Sequence, residues 1–477
     1  MNMLHKSRPI SILSLFLLSA LSSAYAANIT VAPTASGNGS GSDWNNTAQW
    51  SNLSLARGNT YYLQEGTYGG KSLNTAVSGS TPIAIKKCSA VESVCTKIAG
   101  WQNTMGDNEA IFTGSFSIST SFWEINGTTG GGSSSWKSGH GFKWTSNAGA
   151  SIDYINISGD ASNIIVSHAK FEQVGNTEAY TSRANGIYDA GALNNSRIEY
   201  SYFENLGGLP FLLRAGTGNI IQHNYSGNIC GMSEADINQH CEGLVMHSMN
   251  DLHFRWNFIA ESPSSGGFVK NNTQSTDSIR IYGNVFGNGF PINCNSGPCT
   301  NWRIFNNTFY NVRGGPVGGD GGFTNLFLYN NLTYSGTTAG LPGSHNHNWY
   351  SKISQMSCSM GSSSNENVNK NYPGSCDTVS TTTDPFVSFS GGSPEGMRLS
   401  APIANWSGFD VCTLDSCTGE KKYNVDAFGL TRGADGVRES GAFEFQAGSA
   451  SAPPPSSGTG STTIEPPTGI TATVPII

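Results

Sequence analysis

NIIVSHAKFEQV (Asn163–Val174), SRIEYSYFENL (Ser196–Leu206), NIIQHNYSGNI (Asn219–Ile229), DLHFRWNFIAE (Asp251–Glu261), SIRIYGNVFGN (Ser278–Asn288), NWRIFNNTFYNV (Asn301–Val312) and NLFLYNNLTYSG (Asn325–Gly336) are one phrase repeated along the chain. Aligned, they give an apolar column of Val166, Ile198, Ile221, Phe254, Ile281, Ile304 and Leu328. Three residues on stand Ala169, Ser201, Asn224, Asn257, Asn284, Asn307 and Asn331, and two further on Phe171, Phe203, Ser226, Ile259, Phe286, Phe309 and Thr333. The Asn column advances by 33, 27, 23 and 24 residues. The alternation has period two and no segment carries a helical period. A short strand cannot bury its own inner face, so repeats of this length must stack into a solenoid. Equivalent residues then form ladders with neighbours about 4.8 Å apart. An inward Asn can bond the Asn above and below and the backbone, as a buried polar group requires. A sandwich or propeller would repeat in sets of strands, not one inward pattern per coil.

This pattern resembles the right-handed parallel β-helix of the pectate-lyase type, which uses such Asn ladders. The resemblance implies an all-β, right-handed parallel β-helix solenoid. The opening ITVAPTASGNGSGSDW, LARGNTYYLQEGTYGG and STPIAIKKC resembles the first coils of many such proteins, family 6 polysaccharide lyases (alginate lyases, chondroitinase B) among them. Asp426-Ala427-Phe428-Gly429, Arg432 and Gly441-Ala442-Phe443-Glu444 resemble the closing segment of many β-helix proteins, which packs back along the solenoid as a strap. Three regions follow: 1–26, a signal peptide; 27–446, the β-helix with its strap; and 447–477, a Pro/Ser/Gly-rich tail that reads as a linker.

The signal peptide is read from His5, Lys6 and Arg8, an apolar run Ile10–Leu21 and a small-x-small site at Ala24-Tyr25-Ala26. The run is short for a bilayer span and no later stretch is long and apolar enough, so a secreted or periplasmic protein is expected. The ten cysteines fall into neighbouring pairs, Cys88/Cys95, Cys230/Cys241, Cys294/Cys299, Cys358/Cys376 and Cys412/Cys417, read as disulfides pinning protruding turns. None has the spacing of a zinc site. Only 12% of residues are charged and 59 are Gly, as in a turn-rich β protein. Losing Lys6 and Arg8 takes the formal charge from −7 to −9, which argues against nucleic acid as partner. Past Gly336 the repeat fades; His345 and His347 read as a solvated loop rather than a metal pair.

The strand before each Asn strand changes from coil to coil: GIYDA (186–190), PFLLRA (210–215), GLVMHS (243–248), GFVKNN (267–272), PINCN (291–295). Alternation allows an outward stack of Asp189, Arg214, His247, Lys270 and Asn293, uncertain by one residue of register. In family 6 lyases a Glu precedes a catalytic Lys-Ser pair, and the next coil carries a catalytic Arg. Here Glu242 stands five residues before His247-Ser248, and Lys270 lies in the next coil. The resemblance thus implies His247 at the family Lys, Lys270 or Asn271 at its Arg, and His240 at a second calcium-binding acid. Departures at these positions make the relationship a distant one.

Chemically the set suits β-elimination on a uronic-acid glycan: a base near working pH, with positive charge at the sugar carboxylate. His247 is the expected base, and Arg214 and Lys270 the expected cations. His240, Asp189, Asn271, His253 and Arg255 are expected to bind substrate. Glu242, Asp236 and Glu234 are expected to hold Ca²⁺ through oxygen. The expected partner is an acidic polysaccharide met by a monomer, with no nucleic acid and no membrane span. Two rival readings stand beside the lyase. A β-helix glycoside hydrolase needs paired carboxylates, and the Gly139-His140-Gly141 segment lacks them. A non-catalytic adhesive protein would only present the face.

Overall fold

The computed structural model describes residues 26–130, 136–174, 183–230, 241–263, 268–271, 274–295, 297–314, 316–318, 322–338, 344–346, 348–356, 386–387, 394–402 and 408–445. Three parallel sheets carry the coils. Sheet A has 13 strands, sheet B 11 and sheet C 12. One turn of the solenoid runs Leu244–Asn250 in C, His253–Arg255 in A and Phe258–Ile259 in B, then returns to C at Val269–Asn271. The apolar column pairs in register through sheet A, Val166 with Ile198, Ile198 with Ile221, and so on to Leu328. The second column pairs through sheet B, where Phe171 stacks on Phe203 at 4.8 Å and Phe286 on Phe309 at 5.1 Å.

Each repeated phrase therefore crosses two sheets. The bend is one residue in the left-handed region just before the Asn position: His168, Tyr200, His223, Trp256, Gly283, Asn306 and Asn330. Rings line the corner, His168 stacked on Tyr200 at 5.0 Å, Tyr200 on His223 at 4.9 Å, and His223 tilted against Trp256 at 5.0 Å. Gly283 adopts φ +66° beneath the indole, where a Cβ would meet Trp256 Cδ1 at 2.6 Å.

The Asn column faces inward and is buried from Asn224 to Asn348. Asn224, Asn257, Asn284, Asn307 and Asn331 each donate Nδ2 to Oδ1 of the next at 3.0 Å. The same oxygens accept backbone N–H groups, and the amides also donate to carbonyls of the coil before. No amide in this run is left to pay desolvation alone.

The solenoid extends beyond the repeated phrases. Residues 101–162 contribute regular strands to all three sheets. Past Gly336, Ser344–Asn346 and Trp349–Met356 add another turn, with His345 in sheet A register with Leu328 rather than in a loop. His347 lies outside the described residues. Four disulfides join Cys88–Cys95, Cys230–Cys241, Cys294–Cys299 and Cys412–Cys417. Cys294 and Cys299 are in the core rather than on a protruding turn, because they are inward members of sheet C. Cys358, Cys376, the signal peptide and the tail fall outside the described residues. The disulfides are those of a chain folded in an oxidising, extracytoplasmic compartment. Among the described residues no helix is long and apolar enough to cross a membrane.

The C-terminal residues 408–445 lie on sheets A and B. Val411 and Tyr423 pack on Tyr282 and Phe305 of sheet A. Ala427, Phe428, Ala442 and Phe443 join Tyr225, Phe258, Tyr310 and Leu332 of sheet B in a second apolar cluster.

Candidate functional site

Pairing in sheet C fixes which of its side chains share a face. Ile187 pairs with Phe211 and Asp189 with Leu213, the inward positions; Tyr188 pairs with Leu212, an outward one. Leu212 pairs with Val245 and Ala215 with Ser248, so Arg214 is level with His247 in the next coil. Val245 in turn pairs with Lys270, and Met246 with Asn271. Arg214, His247 and Lys270 thus all face outward, as expected. Lys270 is not level with His247, however; it stands two residues off, beside Val245, because the coils between them differ in length.

Two other residues expected to meet substrate, Asp189 and Asn271, point the wrong way. Asp189 shares the inward face with Ile187 and is fully buried. Its carboxylate accepts Gly191 N–H at 3.0 Å and Ala215 N–H at 3.3 Å, capping backbone that would otherwise be unpaired. Burial raises its pKa, opposed by those hydrogen bonds. Asn271 is also inward and buried, donating Nδ2 to Cys299 Sγ at 3.3 Å. Neither can touch a glycan.

His253 and Arg255 face outward from sheet A but lie under the strap. Arg255 donates to Gln222 Oε1 at 2.7 Å, to the Tyr282 hydroxyl at 2.9 Å and to Glu420 Oε2 at 2.8 Å. His253 sits 3.3 Å from the Tyr282 hydroxyl, and burial with the nearby Arg280 and Arg255 charges lowers its pKa to about 4. These residues hold the strap and are closed to substrate.

Glu242 is wholly buried and accepts from Lys270 Nζ at 3.3 Å. The Lys270 charge is therefore partly spent on a protein carboxylate. A calcium ion at Glu242 would stand beside an ammonium, and among the described residues no group of His, Cys, Asp and Glu is placed to hold a metal. Glu242 is the only one of the expected calcium ligands among the described residues. Asp236, Glu234 and His240 lie outside the described residues.

What the outward face does bring together is a shallow cleft lined by Arg183, Asn185, Leu209, Leu212, Val245 and His247. Arg183 and Arg214 are exposed, His247 half-exposed. Arg214 places its guanidinium 5.7 Å from the centre of the Tyr188 ring. Asn185 is locked from both sides, accepting Leu209 N–H at 2.8 Å and donating to Asp153 Oδ1 at 2.8 Å. Burial raises the pKa of Asp153, with the Asn185 bond opposing. Sequence reasoning missed Arg183 and Asn185. Both stand at or just before the start of the GIYDA strand, and only coil stacking turns them toward Leu212.

No protein-family model matches the chain, and no curated protein matches it either. Among solved structures it is similar to pectate lyase Pel9A, at 15% identity over 88% of this chain and 96% of that one, TM-score 0.44. It is also similar to the GH136 lacto-N-biosidase from Eubacterium ramulus, at 11% identity over 68% of this chain and 67% of that one, TM-score 0.32. The parallel β-helix itself rests on the strand pairing above.

Proposed function

We propose that this is an exported carbohydrate-active protein whose sheet C cleft binds an acidic polysaccharide and cleaves it by β-elimination. The observation that carries the reading is a cleft on an outward sheet lined by Arg183 and His247, with Arg214 level with His247 in the coil before. In the reaction, Arg214 and Arg183 neutralise the uronate carboxylate and so stabilise charge spreading into it as C5 loses its proton. His247 takes that proton. The electron pair forms the C4–C5 double bond and the bond to the 4-linked oxygen breaks. The leaving oxygen collects a proton from solvent or from Tyr188, and no oxidant or reductant is needed. Lys270, paired with Glu242, adds to the local positive potential rather than clamping substrate.

The test is to incubate the protein with alginate, pectate, chondroitin sulfate and glucuronan while following the absorbance of unsaturated uronates. New absorbance with at least one of them is expected. Reducing ends without absorbance would replace the lyase by a hydrolase, and binding without either product would leave an adhesive protein.

A further inference from the structure

The outward column of sheet C that crosses the cleft reads Ser117, Asn156, Tyr188, Leu212, Val245, Lys270, Asn293, each the register partner of the next. It is polar at both ends and aliphatic only at Leu212 and Val245, and those two with Leu209 line the cleft. An aliphatic wall is a poor surface for a sugar hydroxyl, which gives up hydrogen bonds to water and gets none back. It is a good surface for a methyl group. The same cleft has polar lining as well, from Arg183 and His247. The shape is held in place: Asn185 is fixed by Leu209 N–H and Asp153, and a Cβ at Gly208 would lie 2.3 Å from Asn185 Oδ1.

We infer that the cleft selects acidic glycans in which a methyl group lies next to the carboxylate, as an acetyl substituent on the uronate or as the 6-deoxy carbon of an adjoining sugar. The methyl lies on Leu212, half-exposed in front of the buried Leu209 and Val245, while the arginines take the carboxylate. The inference rests on the acidic-glycan reading and adds to it the substituent that decides which glycan is taken.

Oligosaccharide pairs differing in one methyl test this on the full chain by titration calorimetry: an acetylated uronate oligosaccharide against its alkali-deacetylated form, and a 6-deoxyhexose-containing one against its 6-hydroxy counterpart. The methyl-bearing member of at least one pair should bind about four- to tenfold tighter. A preference in the acetyl pair alone identifies an acetyl group, and in the deoxy pair alone a deoxy carbon. Leu212→Asn, at the half-exposed position of the wall, should erase most of the preference. Leu212→Ser should do the same if the asparagine variant folds poorly. Equal binding within both pairs would overturn the inference and leave the acidic-glycan reading standing. Carboxyl-reduced oligosaccharides binding as well as their parents would instead overturn the acidic-glycan reading. Failure to bind any of them would overturn both.

Discussion

Arg255 and Arg214 point away from the same solenoid, one from sheet A and one from sheet C, and their fates are opposite. Arg255 is buried at 2% exposure under residues 408–445, its guanidinium shared among Gln222, Tyr282 and Glu420. Arg214 is exposed above Tyr188 and level with His247. The strap's acids also reach Arg197, where Glu420 lies 3.3 Å away, and Arg280, where Asp415 lies 3.2 Å away. An outward cation on this fold is a ligand-binding group only where the chain has not already supplied its own carboxylate. The sheet A stripe is structural for that reason, and the sheet C cleft is the place to look for chemistry.

The largest effect that would sharpen this contrast is kinetic. His247→Ala should cut turnover of the susceptible glycan roughly 10²–10⁴-fold. Its melting temperature should stay near the parent's, since an outward substitution away from packing costs within about 0.5 kcal/mol. A variant that cleaves at the parent rate would move the site off sheet C. On the strapped side the signs reverse. Phe443→Ala empties a buried position stacked 5.2 Å from Phe428. It should cost about 3–5 kcal/mol in denaturant unfolding while leaving the rate per folded molecule unchanged. A matching loss of specific activity would mean that the strap and the cleft are coupled.

A smaller effect comes from the strap's own acids. Glu439 is buried against Glu444, and burial first, then that neighbour's charge, raises its pKa from the ordinary 4.5 to about 8. Folding therefore holds a proton that the unfolded chain releases above 4.5, so stability falls as pH rises through the window from 4.5 to 8. Asp435 beside Glu439 adds to the rise, and Arg432 holds down the pKa of Glu444. Thermal melts should show the parent losing stability from pH 5 to pH 8, at about 2–4 °C per kcal/mol, and Glu439→Gln flattening that slope. A parent curve that rises across this window would contradict the assignment. The smallest expected change is with metal. Because Glu242 already faces Lys270, dialysis against a chelator should leave glycan turnover within about twofold, a difference of roughly 0.4 kcal/mol. A collapse restored by Ca²⁺ would bring Asp236 and Glu234 back as ligands.

The inner half of the molecule was legible in the sequence because burial forces regularity on it. Val166 through Leu328 and Asn224 through Asn331 must match their neighbours coil by coil, so they repeat visibly. The corner between sheets A and B left no common letter. His168, Tyr200, His223, Trp256, Gly283, Asn306 and Asn330 share a backbone angle, not a side chain. The outward face was half legible. His247 and Arg214 followed from alternation, but Asp189 and Asn271 are polar residues used inward, to satisfy backbone and a core sulfur. Lys270 slipped by two positions because loop length, not strand pattern, sets the offset between coils. His253 and Arg255 were misread for a different reason: the residues that cover them lie far along the chain, in a segment whose motif names a strap but not its landing place.

The Asn ladder has a consequence for how such a protein can grow. Its steps of 33, 27, 23, 24 and 17 residues end in identical amide contacts, so the ladder tolerates coils of very different lengths. A duplicated stretch of gene encoding one coil would enter the stack with both of its amide contacts already provided for. It would push everything above it along the axis by one strand spacing, about 4.8 Å, without altering the face below. Insertion above Lys270 would lengthen the outward sheet and leave Arg214 and His247 side by side; insertion between Arg214 and His247 would part them. The fold thus works as a ruler that evolution can extend from either end but can cut in the middle only at the expense of the cleft.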